Sequence, residues 1–158
     1  MNFKEFSQRI KVLQTLEADQ IRAKYISLFV DQVSEWYEEQ IAIKVLSGDG
    51  WYYRGYMWEC LKQGTPAKEE QILGQLKGMD ESVFVLWDIS SRRNLSPKDY
   101  WKFPRDAVLY LWASDLLEGL GYLPEDIYIF NASFSWSLIF THETTYDNER
   151  LCYKAAAA

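Results

Sequence analysis

Cysteine and histidine are nearly absent from this chain. Its 158 residues contain two cysteines, Cys60 and Cys152, far apart and outside any CxxC pair, and one histidine, His142. A disulfide framework is not expected, nor is a Cys/His zinc centre, which takes about four such ligands. The cysteines read as buried thiols, and no metal or cofactor is expected. Any Ser-His-Asp or Cys-His arrangement would have to use His142.

Long apolar stretches are missing too. Runs such as Val83 to Trp87 and Leu138 to Phe140 are strand-sized, and none approaches the ~18 residues of a membrane-spanning helix. Met1 to Phe6 shows no basic stretch leading into an apolar run, so a cytoplasmic chain is expected. Basic residues are outnumbered 17 to 23, giving a net charge of -6 and a pI near 4.9. That balance disfavours nucleic acid and anionic lipid and suits a cationic partner. No GxxxxGK[ST], GxGxxG, GxSxG or HExxH motif occurs, which removes the commonest nucleotide-binding, hydrolase and zinc-protease readings.

Aromatic residues, by contrast, are plentiful at 16%, with 7 Trp and 11 Tyr. This is more packing material than a disordered chain carries. The length suits a single domain over residues 1–154, with Ala155 to Ala158 set apart as a cloning scar.

Periodicity supplies the elements. Phe3, Phe6, Ile10 and Leu13 predict one amphipathic helix, and Ile21, Tyr25, Leu28, Phe29, Val33 and Trp36 a second, with Thr15 as its N-cap. Gln40 to Leu46 is open between helix and strand, and Ser47 to Gly50 is a turn. Trp51 to Lys62 reads as a helix capped by Asp49, and Thr65-Pro66 as the start of another that ends at Gly78. Ser82 to Trp87 is a buried strand, Ile89 to Asn94 a loop, Ser96 to Asp99 a cap with a first helical turn, and Arg105 to Leu117 a helix. Asp126 to Phe130 is a strand. Ser133 to Leu138 then alternates, placing Phe134, Trp136, Leu138 and Phe140 on a buried face and the serines on a wet one. The expected fold is α+β: a helix-rich N-terminal half packed on a small, mostly antiparallel sheet with a C-terminal hairpin.

Asp126-Ile127-Tyr128-Ile129, Phe134-x-Trp136 and Thr141-His142-Glu143 together resemble the C-terminal signature of a family of small bacterial proteins grouped as a domain of unknown function. Trp58 and the strand Phe84 to Trp87 match the same family more loosely. Its members carry a histidine directly after that tryptophan, where Glu59 stands here, so no role for that histidine transfers. The resemblance implies a fold relationship and a bacterial or phage origin, and brings no reaction with it.

Three groups of residues are candidates for function. Trp51, Tyr52, Tyr53, Tyr56 and Trp58 would fall on several faces of one helix, leaving some rings for a partner. Glu35, Glu38, Glu39 and Asp49 would steer a basic protein toward them. His142 with Glu143, and with Asp126 or Asp147 approaching across the hairpin, forms an alternative site. A strand-end histidine bonded to a neighbouring carboxylate is the plainer reading. Arg92 and Arg93, with Lys98, Lys102 and Arg105, make the one basic concentration, interleaved with Tyr100, Trp101 and Phe103. The sequence thus points to a nonenzymatic acidic binding protein, an immunity protein or antitoxin-like inhibitor that occludes a basic partner. An enzyme using His142 and a homo-oligomer joined through its aromatics stand as alternatives.

Overall fold

A run of five apolar residues, Val83-Phe84-Val85-Leu86-Trp87, needs cover on both sides, and the fold is arranged around that need. The computed structural model describes residues 1–48, 50–90 and 102–157. Within them the order is α1 (Phe3–Gln8), β1 (Lys11–Leu13), α2 (Thr15–Phe29), α3 (Glu35–Gln40), β2 (Val45–Ser47), β3 (Gly50–Tyr52), a 3-10 turn (Met57–Cys60), β4 (Gly64–Lys68), α4 (Glu69–Lys77) and β5 (Ser82–Trp87). There follow β6 (Val108–Trp112), α5 (Ala113–Gly119), a 3-10 turn (Leu120–Tyr122), β7 (Ile127–Asn131), β8 (Trp136–Thr144) and β9 (Arg150–Ala156).

Seven strands form an antiparallel sheet in the order β1-β6-β5-β7-β8-β9-β4, and β2 and β3 make a separate hairpin. Central β5 pairs with β6 and β7, so that Val85 faces Leu109 on one side and Ile129 on the other. Alternation sends Val83, Val85, Trp87, Leu138 and Phe140 to one face, where Phe6, Ile72, Leu76 and Leu116 cover them from α1, α4 and α5. Leu86, Tyr128, Phe130 and Ile139 point the other way and meet Tyr25 and Phe29 of α2, together with Met57 and Trp58. The α+β expectation is met in its coarse form, helices on an antiparallel sheet. Both halves of the chain contribute helices and strands, and the sheet is large rather than small.

Several expected elements differ. The first helix stops at Gln8 and Lys11 to Leu13 joins the sheet. Gln14, not Thr15, is the N-cap of α2, and Thr15 takes a positive φ of 52°. Trp51 to Lys62 is not a helix, because its backbone finds partners elsewhere: Tyr53 N–H donates to Ile89 O at 2.9 Å, Arg54 N–H to Gln40 O at 3.1 Å and Met57 N–H to the Asp88 carboxylate at 2.9 Å. Pro66 lies in a strand at the edge of the sheet, opposite Tyr153, and its helix begins only at Glu69. Val108 to Trp112 is a strand buried on both faces, which mimics helical periodicity; helix starts at Ala113.

Ser133 and Ser135, just before β8, are exposed as expected, but the wet face ends there. Ser137 is fully buried, with its Oγ 2.8 Å from the Tyr25 hydroxyl, because α2 covers that side. Phe134, at φ 56°, joins the α2 side while Trp136, Leu138 and Phe140 face the other. Cys60 and Cys152 are free, buried and on opposite faces of the sheet. The last strand continues into the alanine run, pairing Ala155 with Ser137 and Gly64. Among the described residues no helix is long and apolar enough to cross a membrane.

Candidate functional site

Asp88 follows the last residue of β5, and the strand's alternation turns it toward the α2 side. There it is 1% exposed and accepts from the Tyr53 hydroxyl at 2.8 Å, the Met57 N–H at 2.9 Å and the Tyr128 hydroxyl. Burial pushes its carboxyl up to about 7, while the three donors pull the other way. Burial also raises the Tyr53 and Tyr128 hydroxyls, and the nearby Asp88 charge adds to that. The Tyr128 hydroxyl oxygen in turn accepts from the Trp58 backbone N–H at 3.0 Å. Asp88 therefore pins the irregular Tyr53 to Trp58 segment onto the sheet.

From Trp58 the network reaches the surface. Its indole Nε1–H donates to Asp126 Oδ1 at 3.0 Å; Asp126 also accepts from the His142 N–H at 3.0 Å and lies 3.0 Å from His142 Nδ1. Asp126, mostly buried, has its carboxyl raised by burial and lowered by the imidazole and the indole. Rings surround the imidazole: Tyr56 at 4.9 Å and Trp58 at 6.2 Å between centroids, with Tyr153 stacked behind Trp58 at 5.9 Å. Glu59 accepts from the Tyr56 N–H at 3.0 Å, and partial burial raises its carboxyl. With Nδ1 committed to Asp126, Nε2 is the nitrogen left to act on a ligand, and the side chain is 37% exposed. Buried carboxylate, imidazole and open face are the parts of a general base. Trp58 here meets Asp126, Tyr128 and His142, all distant from it in sequence.

The residues expected to bind a partner differ in exposure. Glu35, Glu38 and Glu39 are exposed on α3, and Glu143 is exposed toward the end of β8. Tyr52 is half-buried in the hairpin; Tyr56 stands beside His142; Tyr53 is buried on Asp88 and cannot touch a partner. Asp49, Arg92 and Arg93 lie outside the described residues, as does the cap at Ser96 to Asp99. Arg105 reaches the Ser90 and Trp51 carbonyls at 3.2 and 3.1 Å and so ties those two segments together. Val33 and Trp36, assigned from the sequence to a buried stripe, are exposed, Val33 by 87%; Ile43 and Leu46 are exposed as well.

Trp51 and Tyr53 instead help to line a cavity of about 510 Å³ with Arg22, Ile26, Tyr37 and Ile41. Arg22 was absent from the sequence reading although its spacing marks it, since α2 buries Ala18, Arg22, Tyr25 and Phe29 at steps of four, three and four. A cation on such a stripe signals either a paired buried charge or a site. Among the described residues no group of three side chains suited to a metal ion forms. No family model, curated protein or solved structure matches the chain.

Proposed function

We propose that the chain is a nonenzymatic, cytoplasmic binding protein that covers a basic protein partner, in the manner of an immunity protein or antitoxin-like inhibitor. The observation that carries this reading is α3, where Glu35, Glu38 and Glu39 are all exposed within six residues, next to the exposed Trp36. Val33, Ile43 and Leu46, on the segments flanking α3, add apolar area that the fold leaves uncovered. Exposed carboxylates speed the encounter with a cationic surface, and an aromatic anchor among them sets the dissociation rate. The net charge of -6 acts in the same direction. Inhibition would be steric.

The test is co-expression with a panel of basic nuclease toxin domains. Cells should survive with the native chain and die with the triple reversal Glu35→Lys, Glu38→Lys, Glu39→Lys. The association rate of the purified pair should fall steeply with salt. Full protection by the triple variant would remove α3 from the mechanism.

A second reading, an enzyme, is favoured by one observation, the pairing of His142 with buried Asp126 beneath two aromatic rings. It requires that His142→Ala abolish the biological effect while leaving the fold intact. Unchanged activity in that variant excludes it.

A further inference from the structure

Arg22 is 7% exposed, and only one of its three nitrogens has a partner: Nη1 donates to Trp87 O at 2.8 Å. Nε and Nη2 are both buried with no acceptor. Leaving two donors of a guanidinium unbonded in the interior is costly, and native folds rarely tolerate it without a reason in function. The unbonded pair is also the edge that matters. Nε–H and Nη2–H are parallel donors, the fork that takes both oxygens of a carboxylate at once.

The same side chain lines the cavity of about 510 Å³, within the usual range of small-molecule sites. The walls are mostly apolar, from Ile26, Ile41, Tyr37 and Trp51, and Lys44 stands at the cavity with its Nζ 4.4 Å from the Trp51 ring centroid. Asp19 and Asp106 are also in the lining. These two carboxylates repel a dianion more strongly than a monoanion, which argues against a phosphate. We propose that this cavity binds a small monocarboxylate with an apolar or aromatic body, its acid group seated on the Nε–Nη2 edge of Arg22 and its body against Trp51 and Ile41. That edge is closed to solvent in the present conformation, so engaging it takes a turn of the Arg22 side chain toward the cavity. Lys44 at the lining adds positive charge for the incoming anion. The site adjoins α3 through Tyr37 and does not include Glu35, Glu38 or Glu39 in its lining.

The experiment is a titration of the full chain with acetate, hexanoate and phenylacetate, with phenylacetamide and inorganic phosphate as controls. It is followed by the Trp51 indole and Arg22 Nε–H resonances in nitrogen-proton correlation spectra. Phenylacetate and hexanoate should shift both signals saturably, and phenylacetamide should bind at least about tenfold more weakly, since it lacks the charge that strengthens the fork. Arg22→Met should weaken phenylacetate by a similar factor. Ala42→Trp, which fills the cavity from an exposed position, should abolish binding with an unchanged spectrum elsewhere, and covers the case that Arg22→Met does not fold. Absence of saturable shifts with all three acids, equal binding of phenylacetamide, tighter binding of phosphate, or undiminished affinity in Ala42→Trp would each overturn the proposal.

Discussion

Asp126 grips His142 twice, accepting the backbone N–H at 3.0 Å and facing Nδ1 at 3.0 Å, while the Trp58 indole holds the carboxylate from the other side at 3.0 Å. The pair is thus positioned by a residue far away in sequence. Trp58→Phe keeps the ring and deletes the donor, leaving a mostly buried carboxylate short of one hydrogen bond. A stability loss of about 1–3 kcal/mol is expected from urea denaturation, with broadening of the His142 ring signals as its partner loosens. An unaltered midpoint would show that the indole bond contributes nothing.

The raised carboxyl of Asp88 fixes the direction of a pH effect. Its folded value is about 7 against the ordinary 3.8. Between those values the native state keeps a proton that the unfolded chain has released. The contribution is therefore fully present below about pH 4 and is lost as pH rises through 7. Asp126 and Glu59 are raised as well and act with the same sign. Urea midpoints should fall from pH 5 to pH 8, and Asp88→Asn should flatten that decline. Equal slopes in the two proteins would contradict the assignment.

Gly119 is the last residue of α5, at a point where Phe6 leaves no room for a larger side chain. A β-carbon there would stand 2.0 Å from Phe6 Cε1, in a fully buried contact between α5 and α1. Gly119→Ala should cost about 1–3 kcal/mol through overpacking, and Phe6→Leu introduced with it should recover part of the loss. If Gly119→Ala melts at the native temperature, the two helices are not packed as described.

Tyr25 and Ser137 join α2 to the sheet through one buried bond of 2.8 Å. Tyr25→Phe should destabilise by about 1 kcal/mol, and Ser137→Ala by a similar amount. Together they should cost less than the sum, since each alone strands the other's hydroxyl. Strict additivity would rule out the bond.

Legibility in the sequence followed how local each cause was. Ser82 to Trp87 and Asp126 to Phe130 were readable because β-branched and aromatic runs of strand length suffice to identify a buried strand. Val108 to Trp112 was misread for a related reason: with Val108 facing α2 and Leu109 and Leu111 facing the opposite layer, burial on both faces erases the two-residue period. Tyr53 to Trp58 was misread as part of a helix, since Ile89, Gln40, Asp88 and Tyr128 supply its backbone partners from distant segments. Within the candidate site, Asp126 was one of two carboxylates expected near His142, while the indole donor of Trp58 was not foreseen. Asp88 and Arg22 owe their roles to segments distant in sequence, Tyr53, Met57 and Tyr128 for the one and Trp87 for the other, and so leave no local signal.

Pro66 sits in the outermost strand, where a residue without an amide hydrogen is tolerated if that position faces away from β9. At the opposite rim β1 is only three residues long. An incoming chain seeking to extend the ladder would find a missing donor on one flank and too short a template on the other. A molecule this rich in aromatic side chains is thereby guarded against stacking into fibrils through its own sheet.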